Sequence, residues 1–178
     1  MSTSRQDAKR VSRVLRGDQR AYADLVRAHQ DRLLASAYHL CGDLDAAQDL
    51  TQECFVQGYQ SLGTLRDPGA FGPWLYGILR NLFRQYLAHR PPAAVSLERD
   101  TVAEPAAPAD DLGEMRLVMQ TLPLEHREVL AARYLQEMDY AEIAAALGLS
   151  VNATRVRVFR AKAALRAALA EEGGEAHV

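Results

Sequence analysis

The clearest chemical pattern in the sequence is a basic stretch toward its C-terminal end. Residues 151–166 carry five lysines and arginines and no acidic side chain. If this stretch is a helix, Arg155, Phe159 and Arg160 lie on one side of it. Arginines on such a face can bind guanine edges or phosphates in a major groove, and an apolar ring can contact thymine methyl groups. The candidate groove-contacting residues are Asn152, Arg155, Val156, Arg157, Phe159, Arg160 and Lys162.

The elements around this stretch favour that interpretation over a merely solvated basic helix. Asp139 and Glu142 have the spacing of a capping box for a short helix, which Gly148 ends. Ser150 can then cap a helix over about residues 151–169. The buried seam predicted for this last helix consists of Thr154, Val158, Ala161 and Leu165. A short helix, a turn with glycine and a basic amphipathic helix are typical of a helix-turn-helix.

A second pattern places an aromatic ring beside two arginines. In a helix predicted from Pro73 to about Arg90, Tyr76, Arg80 and Arg84 share one face. The opposite arc is a predicted core stripe, formed by Trp74, Leu75, Ile78, Leu79, Leu82 and Tyr86. A ring beside guanidinium groups can stack an unpaired base and hold phosphates. A solvated face with one exposed tyrosine is the alternative.

Helical patterns account for the rest of the ordered sequence. A turn-rich loop over residues 61–73 contains three glycines and two prolines and separates two of the predicted helices. The further helices are predicted from Gln19 to about Leu40 with Asp18 as cap, from a cap at Asp45 to about Leu62, and from Pro123 to about Leu135. The sequence therefore predicts an all-α fold.

Residues 91–113 separate two such helical regions. This segment contains four prolines, six alanines and five acidic residues, with a net charge of −4. It cannot bury enough apolar surface to offset its ordering entropy, so it is predicted to be a flexible linker. The expected domains are residues 1–90 and 114–170, followed by a disordered tail over 171–178.

Composition excludes several classes of protein. The net charge is −2, so a DNA-binding role depends on a local basic surface and predicts weak binding by the chain alone. No apolar run is long enough to insert into a membrane and no secretory signal is visible, which favours a cytoplasmic protein. The two cysteines lack metal or disulfide spacing and are expected to be small buried side chains. No motif predicts a metal, a cofactor, a small-molecule substrate or an enzyme.

Four stretches together resemble one known family. They are GDQRAYADLV at 17–26, AAQDLTQECF at 46–55, FGPWLYGILRN at 71–81, and residues 122–150 followed by VRVFRAK at 156–162. In this order around an acidic linker, they resemble the extracytoplasmic-function (ECF) sigma factors of bacterial RNA polymerase, in the sigma-70 family. The resemblance implies that the first domain binds core polymerase and the minus-ten element, and that the second reads the minus-thirty-five element.

The resemblance also implies a role for particular residues. Polymerase binding would fall to Asp49, Leu50, Gln52, Glu53 and Phe55, and minus-ten binding to Arg66, Phe71, Trp74, Tyr76, Arg80, Asn81 and Arg84. The loop from about Gly63 to Phe71 would hold a flipped base, and the acidic linker would thread the RNA-exit path of polymerase. Promoter-specific initiation in a stress or envelope response, controlled by an anti-sigma factor, is the implied function.

Two departures from the family pattern affect these expectations. Gln48 stands where the polymerase-binding stretch usually has an acid. Glu137 stands where a glycine commonly ends the first helix of the second domain, so a left-handed cap is not expected there. A stand-alone helix-turn-helix regulator remains the main alternative function, although such proteins usually dimerise to read two half-sites.

Overall fold

A computed structural model describes residues 2–89 and 111–175, and every regular element in those ranges is helical. The helices are α1 (Ser2–Leu15), α2 (Gln19–Cys41), α3 (Leu44–Ser61), α4 (Phe71–His89), α5 (Asp111–Thr121), α6 (Leu124–Leu130), α7 (Tyr140–Leu147) and α8 (Val151–Glu175). Short 3₁₀ turns at Leu62–Thr64 and Pro68–Ala70 lead into α4, and a π-helical segment at Ala131–Leu135 follows α6. The all-α prediction is confirmed.

The first domain packs α1 and α4 against a pair formed by α2 and α3. The side chain of Asp18 caps α2 by accepting from the Arg20 amide, as predicted. The cap of α3 is Asp43, whose carboxylate accepts from the Ala46 amide at 3.0 Å; the prediction of Asp45 is wrong. Asp45 instead lies in the first turn, where a negative charge favours the helix dipole.

Helix α1 is missing from the helices predicted above, although Ala8, Val11, Val14 and Leu15 recur at helical spacing. Its buried contacts include Val11 and the carboxylate of Asp7, which is 2% exposed. Asp7 Oδ2 lies 2.8 Å from Nε2 of His29 on α2, and His29 packs edge-on against the Phe71 ring. A polar pair therefore helps to attach α1, in addition to its apolar side.

The second domain forms the predicted helix-turn-helix. Both hydrogen bonds of the Asp139–Glu142 capping box are present, and Gly148 ends α7 in the left-handed conformation. Ser150 Oγ accepts from the Ala153 amide at 3.1 Å and so caps α8. The predicted seam of α8 is confirmed, because Thr154, Val158 and Ala161 are buried and Leu165 packs against the core.

Glu137 adopts the left-handed backbone conformation that its side chain disfavours, with φ 56°. The expectation that no such cap forms here is therefore wrong. Met138 is buried, and its amide donates to Ala132 O at 3.1 Å. The chain must reverse sharply after the π-helical segment to place Met138 in the core, and this requirement outweighs the local strain.

We expect Glu137→Gly to stabilise the protein by about 0.5–1 kcal/mol, since glycine relieves the left-handed strain at a smaller entropic cost. The lost ion pair to Arg32 is largely exposed and contributes little. Urea unfolding of the full chain measures the effect. Glu137→Ala is the matched control, because it removes the carboxylate but keeps Cβ; equal stability of the two variants would refute the strain argument.

Two helices extend beyond the domain boundaries predicted from the sequence. Helix α5 begins at Asp111, inside the segment assigned to the linker, and α8 continues to Glu175, past the predicted end near Leu169. The rest of the predicted linker, residues 91–110, lies outside the described residues, as do residues 176–178.

Within the described ranges, no helix is both long and apolar enough to cross a membrane. Cys41 and Cys54 are both thiols without a disulfide. Cys54 is buried and donates to Leu75 O at 3.3 Å, and burial raises the pKa of its thiol to about 12. At neutral pH Cys54 is therefore an uncharged, small core side chain, as expected from the sequence.

The two domains pack against each other through the C-terminal end of α2. Gln120 Nε2 donates to His39 O at 2.8 Å, and Arg127 Nη1 donates to Leu40 O at 2.6 Å. These carbonyls belong to the last turn of α2. No following helical turn supplies N–H groups for them. A Cβ on Gly42 would come within 2.9 Å of Gln120 Cδ, so glycine also permits this close approach. Desolvation lowers the pKa of Arg127, which remains charged.

Candidate polymerase and promoter interfaces

The predicted polymerase-binding residues divide into two groups on α3. Asp49, Gln52 and Glu53 are exposed, and the side chain of Glu53 accepts from Gln57 Nε2 at 3.0 Å. Leu50 and Phe55 are each only 8% exposed and pack in the core of the first domain. The polar residues are therefore available to a partner, whereas the two apolar ones hold α3 in place.

An exposed apolar strip borders these polar residues and was not identified from the sequence. Tyr59 and Val56 on α3 are 43% and 46% exposed, and they line a shallow groove together with Tyr22 and Val26 of α2. The rings of Tyr22 and Tyr59 meet edge-to-face, with centroids 4.9 Å apart. Tyr22 and Val26, four residues apart on α2, therefore lie on the same side of that helix and face this groove.

The loop between α3 and α4 is held by the N-terminal helix. Ser4 Oγ of α1 donates to Gly69 O at 2.9 Å, and the Asp67 carboxylate accepts from the Gly69 amide. A Cβ on Gly69 would approach Ser4 Oγ to 2.8 Å, so the contact requires glycine. Arg66 is exposed on this loop, whereas Phe71 at its end is fully buried. In this arrangement Arg66 is open to a ligand and the Phe71 ring is not.

The face of α4 that carries Tyr76, Arg80 and Arg84 is covered by the second domain. Tyr76 is fully buried, and its hydroxyl donates to Glu128 O at 2.7 Å. The expectation of an exposed ring is therefore wrong for this arrangement. Of the other predicted minus-ten residues, Trp74 is partly buried and Asn81 is exposed.

Both arginines of this face pair with the side chain of Glu128, which is 0% exposed. Arg80 Nε donates to Glu128 Oε1 at 3.1 Å. Arg84 donates twice, from Nε to Oε1 at 2.7 Å and from Nη2 to Oε2 at 2.9 Å. This fork raises the pKa of the Arg84 guanidinium, chiefly through its hydrogen bonds to Glu128. Burial, with the Glu128 charge nearby, raises the pKa of the Tyr76 hydroxyl, which stays protonated.

Helix α8 presents its predicted groove-contacting face to solvent. Phe159 is 75% exposed and Val156 is 44% exposed. Asn152, Arg155 and Arg160 are also exposed. Such exposure of a large aromatic ring leaves apolar surface without a partner in this chain.

Two of the basic residues predicted for this face have neighbours within the domain. Arg157 pairs with Glu125 at 3.4 Å and is 25% exposed. Lys162 is partly buried. The guanidinium of Arg155 lies over the Tyr140 ring, 5.7 Å from its centroid, and Arg133 approaches the same ring. Tyr140 therefore helps to orient Arg155, a role that its place in the apolar pattern of α7 did not indicate.

The described residues hold no cluster of three side chains able to bind a metal ion. What the geometry offers is an exposed acidic and apolar surface on α3 and a basic face with an exposed ring on α8, whereas the basic face of α4 is covered by the second domain. These surfaces are suited to binding a protein and nucleic acid.

Comparison with known proteins identifies the two domains. Residues 25–90 match Sigma-70 region 2, and residues 112–165 match Sigma-70, region 4. A probable RNA polymerase sigma factor, RfaY, of Xanthomonas campestris pv. campestris is 36% identical over 162 residues, which are 84% of this chain and 40% of that relative. The ECF RNA polymerase sigma-E factor of Escherichia coli K12 is 32% identical over 184 residues, 93% of this chain and 95% of the relative.

A solved structure agrees with these matches. The structure of CnrH in complex with the cytosolic domain of CnrY aligns with a TM-score of 0.72 and 28% identity, and covers 93% of this chain and 98% of that chain. The similarity extends through both helical domains. The chain therefore belongs to the sigma-70 family of RNA polymerase sigma factors, in the ECF group, and is a promoter-specific transcription initiation factor.

Proposed function

We propose that this chain joins core RNA polymerase through α3 and directs it to promoters that α8 recognises. The observation that carries the proposal is the exposed face of α8, on which Arg155, Phe159 and Arg160 project from a helix-turn-helix. A single such helix contacts few base pairs, and a net charge of −2 gives the free chain little general affinity for DNA. Polymerase would supply the remaining affinity.

Polymerase would dock on the exposed side of α3. Asp49 and Glu53 offer negative charge, and the groove lined by Val56 and Tyr59 offers apolar surface beside it. This combination fits a partner helix that carries both basic and apolar side chains. Leu50 and Phe55 would contribute by fixing the position of α3.

Promoter opening would use the loop and helix that follow. The loop from Gly63 to Phe71, braced by α1 at Gly69, would hold a base flipped from the minus-ten element. Arg66, with Arg80 and Arg84 of α4, would then bind the phosphates of the opened strand. This use of α4 requires the second domain to leave it.

We also propose the partners and the cellular setting. The acidic segment 91–113 would occupy the basic RNA-exit path of polymerase, where its carboxylates replace phosphates. CnrH forms a complex with a cytosolic domain of CnrY. By analogy, a small anti-sigma domain would bind this chain. As a protein that acts on polymerase, the chain would function in the cytoplasm, in a stress or envelope response, with no catalysis and no cofactor of its own.

Reconstituted transcription tests the proposal. We expect the purified full chain, added to core polymerase and a supercoiled library of genomic fragments from the same bacterium, to yield RNAs with defined start sites. Core polymerase alone and the full chain alone are the controls. A chain that neither binds core polymerase nor produces defined starts would contradict the proposed function.

A further inference from the structure

The loop over residues 63–71 is open where it begins and fixed where it ends. Gly63 and Arg66 are exposed, and a Cβ on Gly63 would meet nothing within 4 Å. Phe71, in contrast, is fully buried. An unpaired base can therefore enter at the open part of the loop, while the buried end determines where that part lies.

Helix α1 contacts the fixed end of this loop directly. Ser4 Oγ donates to Gly69 O at 2.9 Å, and a Cβ on Gly69 would come within 2.8 Å of the same hydroxyl oxygen. The amides of Gly69 and Ala70 donate to Asp67, at its carboxylate and its carbonyl respectively. These local hydrogen bonds form the turn but do not position it in the domain. The position of Gly69 therefore depends on where α1 lies.

A buried polar pair fixes α1 to α2. Asp7 is 2% exposed, and its Oδ2 lies 2.8 Å from Nε2 of His29, which is itself buried. Since an ionised carboxylate only accepts hydrogen bonds, Nε2 carries the proton in this pair. Arg10 Nη1 donates to the other carboxylate oxygen at 3.2 Å. Hydrogen bonds require a particular geometry and apolar contacts do not, so the pair restricts sliding and rotation of α1.

His29 also contacts the end of the loop. Its ring packs edge-on against Phe71, with ring centroids 5.2 Å apart. A Cβ on Gly72, the next residue, would lie 3.2 Å from His29 Cε1, so glycine lets the backbone approach the ring closely. His29 therefore joins α1, through Asp7, to the point where the loop enters α4.

We infer that Asp7 and His29 are positioning residues for base capture: together with Ser4 they hold the 63–71 loop in the shape that accepts a flipped base of the minus-ten element. Both members of the pair are buried and would touch no DNA themselves. This inference rests on the proposed function of the loop. It gives α1 a role in promoter opening and in base preference, separate from binding to polymerase.

Hydrogen exchange in the free full chain tests this positioning without polymerase or DNA. Ser4→Ala removes only the hydroxyl that reaches the loop. Asp7→Asn keeps the shape of the side chain, but it removes the charge and replaces one acceptor oxygen with a donor. We expect peptides covering residues 63–71 to exchange at least about threefold faster in both variants, while peptides of α3 exchange as in the wild type.

Each variant has a matched control in the chain. Ser12→Ala removes a hydroxyl from the same helix that also donates to a backbone carbonyl, but to Ala8 O within α1. Asp31→Asn makes the same change as Asp7→Asn at an exposed site on α2. Neither control should alter exchange in the 63–71 loop.

Base preference tests the consequence for promoter opening, on a promoter recovered by reconstituted transcription with each minus-ten base replaced in turn. We expect the wild type to favour one base at one position by at least about tenfold. In Ser4→Ala and Asp7→Asn this preference should fall below about threefold. On a template already unpaired over the minus-ten element, both variants should initiate within about twofold of the wild type, because the cost of flipping is absent.

These measurements distinguish positioning from a loss of folding or of polymerase binding. A variant that was merely less folded would initiate poorly on both templates and would keep the base preference of the wild type. Anisotropy with labelled full chain should show unchanged affinity for core polymerase in both variants. A reduced affinity that accounts for the whole loss of initiation would contradict the inference.

The outcomes also separate this inference from the proposed function. Unchanged exchange of residues 63–71 in Ser4→Ala and Asp7→Asn would overturn the inference, as would an unchanged base preference. Defined starts without any minus-ten base preference in the wild type would overturn it as well. If the wild type does not initiate with polymerase at all, the proposed function fails. Exchange in the free chain would still decide whether α1 holds the loop.

Discussion

Phe159→Ala and Arg160→Ala should each reduce transcription from a responsive promoter by about tenfold or more, while binding to core polymerase stays unchanged. Loss of a good arginine–base contact costs about 1–3 kcal/mol, which corresponds to this range. Both residues are exposed on α8. Since 75% of the Phe159 surface is exposed to solvent, its ring makes few contacts within the protein. A loss of activity would thus reflect recognition and not unfolding.

The measurement is run-off transcription with reconstituted polymerase, together with thermal unfolding of each variant. Arg166→Ala is the matched control for charge, because Arg166 is exposed on the same helix four residues beyond Lys162, the last of the predicted groove-contacting residues. Mutations of the minus-thirty-five element should lose their effect in the two test variants. Wild-type activity in both variants would assign recognition to another surface.

Charge reversal at Asp49 or Glu53 should weaken the complex with core polymerase by about tenfold, and the loss should shrink as salt is raised. Both side chains are exposed on α3, so lysine at either position fits the fold. Reversal would place a positive charge against the basic partner surface that the proposed docking requires. Transcription from all promoters should fall together, in contrast to the α8 variants.

Co-purification and fluorescence anisotropy with labelled full chain measure this binding. Asp31→Lys is the matched control, because it makes the same charge change at an exposed site on α2 away from the α3 surface. Unchanged affinity of Asp49→Lys and Glu53→Lys would refute the docking surface. Equal weakening by Asp31→Lys would show a general charge effect without a defined site.

The helix-turn-helix could be predicted in detail because its signals are local. The capping box of Asp139 and Glu142 spans three residues, and Ser150 caps α8 from an adjacent turn. The alternation of Thr154 and Val158 with exposed arginines follows from helical geometry alone. Such short-range interactions remain the same in almost any tertiary setting, so the exposed face of α8 was predictable.

The first domain was only partly predictable, because some of its contacts and helix boundaries depend on other elements of the fold. Helix α1 is attached in part by the pair of Asp7 and His29, which are 22 residues apart, and no local pattern predicts this contact. The choice of Asp43 over Asp45 as the cap of α3 depends on where Gly42 ends α2. Boundaries of this kind are decided by neighbouring elements as much as by local preference.

The sequence by itself determined the all-α fold, the two-domain division and the exposed basic face of α8, since each depends on periodicity, caps and composition. Only the tertiary structure decided the state of Tyr76, Arg80 and Arg84, because their partner Glu128 lies 44 to 52 residues away. From the sequence alone, a side chain on the polar face of a helix is predicted to be exposed. Only the tertiary structure shows whether another element covers it. Glu137 shows the same dependence, since burial of Met138 imposes a backbone conformation that its own side chain disfavours.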